Sequence, residues 1–548
     1  MRSPVRWRIV CLGGILILSL ASLGFACTSL LVSPGATEDG SSFVTYSCDG
    51  GIFAAVTIIP GATHPEGAEV TIYDETTFLS GSALEAPALG TLPQANETFR
   101  YLDAMAGPTY SHIGGMNEHG VSVAETTLVD VRPELANPYG LLAPFSTCAG
   151  RSLMTLALQR ARTARDAVLL IGDLAETYGY SSPYPVDGEQ ISIADGREAW
   201  SMEIFGPGGK WRPESGEPGA IWCAQRIPDG HVGISANRSR IGVINLDDPD
   251  TFLASPNVTS LAQRNGWWDP ASDGPFDWSE AYAPGVPPGT LIREWRAFDL
   301  VAPSLELSPE GPIPFSVAPD HPLTTQDVMA IQRDLLEGTP FDVTADDTFS
   351  TASETSPLAC PMCSWDFYDL LDLVPERTIS NRRASFTALY QSRADVPDEL
   401  AGCTWYAFGP AATSCYVPIY SGATTLPDAW GSTALASGDL ELAFWTMILP
   451  GFLATTQWQD AYEDIVQVRA RAEARFAIEQ SVLTQRIAEW LDAGEDSAEK
   501  LNEYTAARLN AVLIGYEDLA THLIAEYVIG IGRYLTSSAP VIPLPPLR

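Results

Sequence analysis

A cysteine at the end of an early apolar segment is the residue best placed for covalent chemistry. Cys27 stands between "LGFA" and "TSLLVSPG", where the apolar run gives way to a strand-like sequence. If the bond between Ala26 and Cys27 is cut, this residue carries a thiol and a free α-amine together. The reference pKa of an α-amine is about 7.7–8.0, so the amine can accept the thiol proton near neutral pH. The sequence thus predicts a nucleophile and its base on one residue.

The segment before this cysteine has the pattern of an export signal. "MRSPVRWR" carries three arginines, an apolar stretch follows, and small residues precede the cysteine. Residues 1–26 are therefore predicted to be a signal peptide, and the mature protein is expected to be secreted or periplasmic. Three alternatives stay open. The apolar run is close in length to a short membrane span, and Cys27 could be half of a disulfide. Cys27 could also be lipidated, although Gly24 and Phe25 fit a lipidation motif poorly.

An N-terminal nucleophile needs a carboxylate that holds its ammonium group. Asp49 ends the strand-like run "SFVTYSCD", which follows the turn sequence "PGATEDGS". A hairpin returns the second strand beside the first, so this carboxylate can lie near Cys27. The alternative interpretation is a turn aspartate before Gly50.

Composition argues against several classes of protein. The net charge of −37, from 31 basic and 68 acidic residues, disfavours binding to a phosphate backbone, so no nucleic-acid partner is expected. "CPMC" at 360–363 has no second cysteine pair to complete a zinc site, and it predicts a local disulfide or two free thiols. Neither a metal nor an organic cofactor is expected. Self-association into homo-oligomers stays open.

The elements that must position these residues are mostly strands. From Cys27 to about residue 420, short β-branched and aromatic runs alternate with turn residues, which favours antiparallel sheets. Residues 150–179 and 323–338 have the apolar spacing of helices. The predicted domains are 27–437, a catalytic unit whose 240–320 segment is loop-rich and could be an insertion, and 438–548, a helical region packed on the core.

Several longer segments resemble one family of enzymes. The resemblance rests on their shared order and spacing: "CTSLLVSPGATEDGSSFVTYSCD" at the start, "GGMNEHGVSVAETT" (114–127), "RSLMTLALQRARTARDAV" (151–168), "SIADGREAWSMEIFGPG" (192–208), "WCAQRIPDGHVGISANRSRIG" (222–242) and "AATSCYVPIYSG" (411–422). The chain resembles the dipeptidase A-type cysteine peptidases, which are related to the secernins, in the N-terminal-nucleophile hydrolase superfamily. The resemblance implies an α+β fold, an αββα four-layer sandwich of two antiparallel sheets, with a C-terminal helical region.

The resemblance also implies roles for three residues. Cys27 matches the nucleophile, Asp49 the carboxylate that holds the amine, and Asn237 the amide of the oxyanion hole. One position departs from the pattern of the related acylases, which carry an arginine three residues before the aspartate. Tyr46 stands there instead, which weakens an acylase assignment more than a dipeptidase one.

Four further residues are candidates for substrate binding. Glu125 could pair with the free ammonium group of a dipeptide, because a buried ammonium needs an anionic partner. Thr127 lies two residues further along the same predicted strand, and Arg238 and Arg240 follow Asn237 as candidates for contact with a substrate carboxylate. For each of the four, a solvated or purely structural role is the alternative.

The expected activity is that of an exported cysteine dipeptidase that acts on small peptides. Two other functions stay open. The first is hydrolysis of N-acyl amides, as in penicillin V acylases and bile salt hydrolases. The second is a lipid-anchored binding protein without catalysis. No stable membrane span is expected once the signal peptide is removed.

Overall fold

The fold is built on two antiparallel sheets. The computed structural model describes residues 27–50, 53–73, 87–106, 111–146, 149–182, 188–350, 355–432, 440–530 and 539–546, so the predicted signal peptide lies outside the described residues. The strands are β1 (Ser29–Val32), β2 (Ser42–Asp49), β3 (Ala54–Ile59), β4 (Ala62–Thr63), β5 (Glu69–Tyr73), β6 (Ala88–Pro93), β7 (Glu97–Thr98), β8 (Tyr101–Ala106), β9 (Ser111–Asn117), β10 (Ser122–Leu128), β11 (Gly188–Ala194), β12 (Ala199–Phe205), β13 (Ile221–Arg226), β14 (Val232–Ser235), β15 (Phe252–Ala254), β16 (Ser316–Val317), β17 (Ala384–Ser392), β18 (Gly402–Phe408) and β19 (Val417–Tyr420).

The first sheet has seven strands in the order β16-β14-β1-β2-β17-β18-β19. The second has eight, in the order β15-β13-β12-β11-β10-β9-β8-β3. Two-stranded ribbons form from β4 with β7 and from β5 with β6. The two large sheets face each other, with β2 of the first against β10 of the second. Residues far apart in the chain therefore meet between the sheets.

The central strands are buried on both faces, although their sequences alternate between apolar and polar residues. Every residue of β2, β10 and β17 is buried. The polar positions are satisfied internally; for example, the amide of Leu30 donates to Oγ1 of Thr45 at 2.8 Å. Such burial follows because one face of each sheet meets the other sheet while its second face is covered by helices.

Helices form the outer layers. They are α1 (Leu153–Arg160), α2 (Ala164–Tyr178), α3 (Val258–Asn265), α4 (Trp278–Tyr282), α5 (Thr290–Val301), α6 (Thr325–Gln332), α7 (Trp365–Leu370), α8 (Asp428–Gly431), α9 (Ala443–Ala454), α10 (Trp458–Ala493) and α11 (Ser497–Leu523). α1 and α2 pack on the second sheet, whereas α9, α10 and α11 pack on the β18–β19 side of the first. The order of layers is therefore helix, sheet, sheet, helix, which confirms the expected αββα fold.

The helix starts follow local sequence signals. Ser152 accepts a hydrogen bond from the amide of Thr155 at 3.2 Å, and Thr163 accepts one from the amide of Asp166 at 3.1 Å, which splits the predicted 150–179 segment into α1 and α2. Thr324 caps α6 in the same way, but that helix ends at Gln332, earlier than the apolar spacing of 323–338 predicts.

The 240–320 segment contains more regular structure than its composition indicates. It holds α3, α4 and α5 together with the short strands β15 and β16. Trp278 and Tyr282 of α4 pack on Phe205 of β12 in an aromatic cluster. This segment therefore covers one edge of the second sheet and brings α5 towards the start of β1. Among the described residues, no helix combines the length and the apolar character that a membrane span requires.

Candidate active site

Cys27 lies directly before β1, and its side chain points into the space between the two sheets. It has no exposed surface. Its Sγ is 3.9 Å from the hydroxyl of Tyr46 on β2 and 3.8 Å from Oε1 of Glu125 on β10. Burial raises the pKa of the Cys27 thiol well above its usual value, and the neighbouring Cys48 and Glu125 raise it further. This environment therefore favours the protonated thiol, which would need a base to act as a nucleophile.

Tyr46 and Glu125 join the two sheets beside this thiol. The Tyr46 hydroxyl donates a hydrogen bond to Oε1 of Glu125. Burial raises the pKa of the Glu125 carboxyl, while its interactions with Glu189, Tyr46 and Cys27 oppose the shift. Glu189 lies on the neighbouring strand β11, where it pairs with Thr127 in the sheet register. Two acidic side chains thus form the wall of the site opposite Cys27.

Thr127 shares the face of β10 that carries Glu125, because side chains two residues apart point the same way along a strand. Its side chain is buried, and within the described part of the chain its hydroxyl has no hydrogen-bond partner. Its backbone carbonyl accepts a hydrogen bond of 2.9 Å from Nδ2 of Asn237. A buried hydroxyl without a partner is costly unless a ligand or water satisfies it. The structure therefore places Glu125 beside the thiol and Thr127, on the same strand, beside the Asn237 amide.

Asp49 ends β2, and polar groups from a distant loop surround its carboxylate. Oδ1 accepts a hydrogen bond of 2.7 Å from Ser47, and Oδ2 accepts one from the Arg377 guanidinium and one of 3.2 Å from Asn381. Burial raises the pKa of Asp49, and Arg377 counteracts that shift. Thr28 pairs with Ser47 across the hairpin, so the end of β2 that carries Asp49 lies next to the backbone start of Cys27.

The "NRR" sequence at 381–383 supports the same strand end. Arg383 donates a hydrogen bond of 2.8 Å to the carbonyl of Gly50, and Asn381 holds Asp49 as described. A cavity of about 200 Å³ opens here, lined by Asp49, Trp365, Arg377 and Arg382 among others. This basic loop therefore fixes the carboxylate rather than the thiol.

Asn237 reaches the site because β14 pairs with β1, with Ser235 opposite Ser29. The residue adopts a left-handed conformation with φ of 76° just after β14, a geometry that asparagine tolerates better than most residues. Both ends of its amide are engaged, because Nδ2 donates to the Thr127 carbonyl and Oδ1 accepts from Arg293 at 3.0 Å. The amide orientation is therefore fixed.

Arg293 connects Cys27 to this amide, and the sequence reasoning missed it. Its Nη1 donates to the carbonyl of Cys27 at 2.9 Å and to Oγ1 of Thr28 at 2.8 Å. Its Nη2 donates to the carbonyl of Ala236 at 2.8 Å and to Oδ1 of Asn237. The one available signal was an arginine on the buried stripe of α5, in a segment whose composition indicated loops instead.

Arg238 and Arg240 are both held by Glu294 of α5. Arg238 makes a forked pair with this carboxylate at 2.6–3.0 Å, and Nη1 of Arg240 reaches it at 2.6 Å. Glu203 accepts hydrogen bonds from the amide of Arg240 at 2.6 Å and from the hydroxyl of Ser239 at 2.5 Å. These contacts pin the loop that carries Asn237. The expected contact of either arginine with a substrate carboxylate stays a prediction.

None of the cysteines that the structure describes forms a disulfide, and this includes Cys360 and Cys363 of the "CPMC" sequence. Of the two interpretations of that sequence, the structure shows two thiols. Within the described residues, no three His, Cys, Asp or Glu side chains come together as metal ligands would.

Comparison with known proteins relates the chain to one family. The sequence profile of Peptidase family C69 matches residues 26–471. Dipeptidase A of Lactobacillus helveticus is 25% identical over 451 residues, which cover 80% of this chain and 85% of that protein. A probable dipeptidase of Salmonella dublin is 26% identical over 406 residues, which cover 72% of this chain and 81% of that protein. A mutant conjugated bile acid hydrolase from Clostridium perfringens aligns with a TM-score of 0.31 and 12% identity, over 72% of this chain and 92% of that chain.

Proposed function

Because the chain belongs to peptidase family C69, we propose that it is an exported dipeptidase whose nucleophile is the Cys27 thiol. Its curated relatives are named as dipeptidases. The single observation that carries the mechanism is the position of Arg293, which binds the carbonyl of Cys27 and the amide of Asn237 at once. One buried side chain thus fixes the position of the proposed nucleophile relative to that of the proposed oxyanion donor.

Activation in this proposal requires cleavage of the bond between Ala26 and Cys27. Inside the precursor, the nitrogen of Cys27 is an amide and cannot accept a proton. Cleavage turns it into an amine whose pKa is about 7.7–8.0 before any shift. Burial keeps the thiol protonated, so a base beside it is needed, and Asp49 is the carboxylate that would hold the resulting ammonium.

The reaction then proceeds in two halves. The amine takes the thiol proton, and the thiolate attacks the scissile carbonyl to form a C–S bond, while Asn237 donates to the oxyanion. The C–N bond breaks as the ammonium returns its proton to the leaving amine. Water next adds to the thioester with the amine as base, which releases the acid and restores the thiol. Loss of one oxyanion donor typically costs about 10²–10³ in rate.

Two features on β10 support recognition of a free amino terminus. The carboxyl of Glu125 lies 3.8 Å from Sγ of Cys27, with Glu189 beside it. In a dipeptide only one Cα separates the ammonium group from the scissile carbonyl, so the ammonium would lie next to this acidic wall. The hydroxyl of Thr127, which bonds to none of the described residues, would accept a further hydrogen bond from the substrate. An N-acylated substrate carries no charge for Glu125 to bind.

The decisive experiment combines the intact mass of the mature protein with assays of its hydrolytic activity. The full-length gene is expressed in an export-competent host, and the intact mass of the product shows whether it starts at a free Cys27. Dipeptides, N-acetyl dipeptides and N-acyl amides are then assayed for the wild type, Cys27→Ser and the control Cys403→Ser, whose thiol is also fully buried. The proposal expects a free N-terminal cysteine, hydrolysis of dipeptides in preference to both acylated classes, and loss of activity in Cys27→Ser alone. Full dipeptidase activity in Cys27→Ser, or an acylated Cys27 amine in the active enzyme, would refute it.

A further inference from the structure

A second cysteine faces the proposed nucleophile across the first hairpin. Thr28 and Ser47 exchange both backbone hydrogen bonds, at 3.3 Å and 2.9 Å. In an antiparallel pair, hydrogen-bonded and non-hydrogen-bonded positions alternate, so the next pair, Cys27 and Cys48, occupies a non-hydrogen-bonded position. The Cα atoms of such a pair are about 4.5 Å apart. Disulfides accept Cα separations of about 4.4–6.8 Å, so the backbone meets this requirement as it stands.

The two side chains also point to the same side of the sheet. Directly opposite residues of a β-pair point to the same side of the sheet. Both residues are buried, and next to the effect of burial itself the neighbouring Cys48 raises the pKa of the Cys27 thiol. Tyr46, two residues before Cys48, lies on the same face with its hydroxyl 3.9 Å from Sγ of Cys27. Cys48 therefore borders the reacting sulfur, although the proposed catalytic cycle gives it no task.

We propose that Cys27 and Cys48 form a reversible disulfide on exposure to a peroxide, and that this bond switches the enzyme off. The proposal rests on the function above, in which the Cys27 thiolate is the nucleophile. That thiolate attacks one oxygen of hydrogen peroxide, the O–O bond breaks, and the products are a sulfenic acid and, after protonation, water. The Cys48 sulfur then attacks Sγ of Cys27, an S–S bond forms and the S–O bond breaks, releasing a second water. Two thiols are oxidised and one peroxide is reduced.

This position of Cys48 has a chemical consequence for the enzyme. A sulfenic acid without a neighbouring thiol oxidises further to sulfinic acid, which cannot be reversed by ordinary thiols. The adjacent Cys48 captures the sulfenic acid first, so oxidation stops at a bond that a dithiol can reduce. An exported enzyme meets oxidising conditions, and in this arrangement they cause temporary loss of activity instead of permanent damage.

The test requires that the two cysteines be separated on different peptides. No lysine or arginine occurs between Cys27 and Arg100, so trypsin leaves both cysteines on one fragment. Cleavage at acidic residues cuts after Glu38 and separates them. Mature enzyme is treated with hydrogen peroxide, alkylated, digested in this way and analysed by mass spectrometry. Activity is measured before treatment, after treatment and after dithiothreitol.

Wild-type enzyme is expected to lose most of its activity as the Cys27–Cys48 linked peptide accumulates, and dithiothreitol should restore most of the lost activity. Cys48→Ala and Cys48→Ser, each measured against its own untreated activity, are expected to lose activity that dithiothreitol does not restore. Cys403→Ser is the matched control, since it removes a buried thiol elsewhere and should behave as the wild type.

The outcomes separate this inference from the proposed function. Inactivation without the linked peptide, or equally reversible inactivation of the Cys48 variants, would overturn the switch and leave Cys27 as nucleophile. A linked peptide that forms with no loss of activity would refute Cys27 as the nucleophile, and the switch would fall with it. The expected pattern, reversible loss with the linked peptide only when Cys48 is present, supports both.

Discussion

Replacement of Arg293 by lysine tests how the site is held together. The arginine side chain is 1% exposed and forks between two strand ends. One terminal nitrogen serves Cys27 and Thr28, and the other serves Ala236 and Asn237. Lysine keeps the positive charge, but its single nitrogen cannot reach both pairs of acceptors. At least two of the four acceptors are then left buried without a donor.

The number of buried acceptors that lose a donor sets the expected loss of stability in Arg293→Lys. A buried polar group that loses its partner costs about 1–3 kcal/mol, so the free energy of unfolding should fall by about 2–6 kcal/mol. The amide of Asn237 would also lose the donor that fixes its Oδ1. Because that amide is proposed to act on the oxyanion, kcat should fall by about 10²–10³ while KM changes little.

Urea unfolding and steady-state kinetics on a dipeptide measure the two effects on Arg293→Lys. Arg296→Lys is the matched control, since it lies on the same helix and its partners are Asp299 and Asp334 rather than the site. The control should keep the wild-type kcat, because the partners of Arg296 lie outside the site. A lysine variant at 293 with the wild-type kcat and unfolding midpoint would refute the reasoning.

Three further predictions concern charge and packing. Asp49→Asn should reduce kcat by about 10² or more, because the amine loses its carboxylate; an unchanged kcat would contradict that role. Since burial raises the pKa of Glu125, the folded state holds that proton more tightly than the unfolded chain does. As the pH rises above about 4.3, the wild type should therefore lose stability relative to Glu125→Gln in urea titrations. The same pH dependence of the free energy of unfolding in both proteins would disprove this. Gly115→Ala places a Cβ against a backbone carbonyl of the adjacent strand and should cost about 1–3 kcal/mol or more. Gly209→Ala, whose Cβ would meet nothing nearer than 3.6 Å, should change stability by less than about 0.5 kcal/mol, and equal melting temperatures for the two variants would contradict the packing argument.

Local patterns in the sequence were sufficient for the elements and for part of the site. The alternation of apolar and polar residues indicated antiparallel strands, and the apolar spacing in 150–179 and 323–338 indicated helices. Cys27 and Asp49 could be placed near each other because a single short hairpin separates them. In each case the interaction is between residues close along the chain, so its pattern is visible in the sequence.

The sequence by itself determined the nucleophile candidate, the class of fold and the hairpin that carries Asp49. Only the tertiary structure decided what surrounds the thiol. Arg293 is 266 residues from Cys27 in the chain, and it reaches that residue because α5 packs beside the pairing of β14 with β1. The same packing brings Glu294 to Arg238, so that arginine is already paired. Such contacts depend on how helices and sheets stack in three dimensions, and local spacing along the chain cannot predict that stacking.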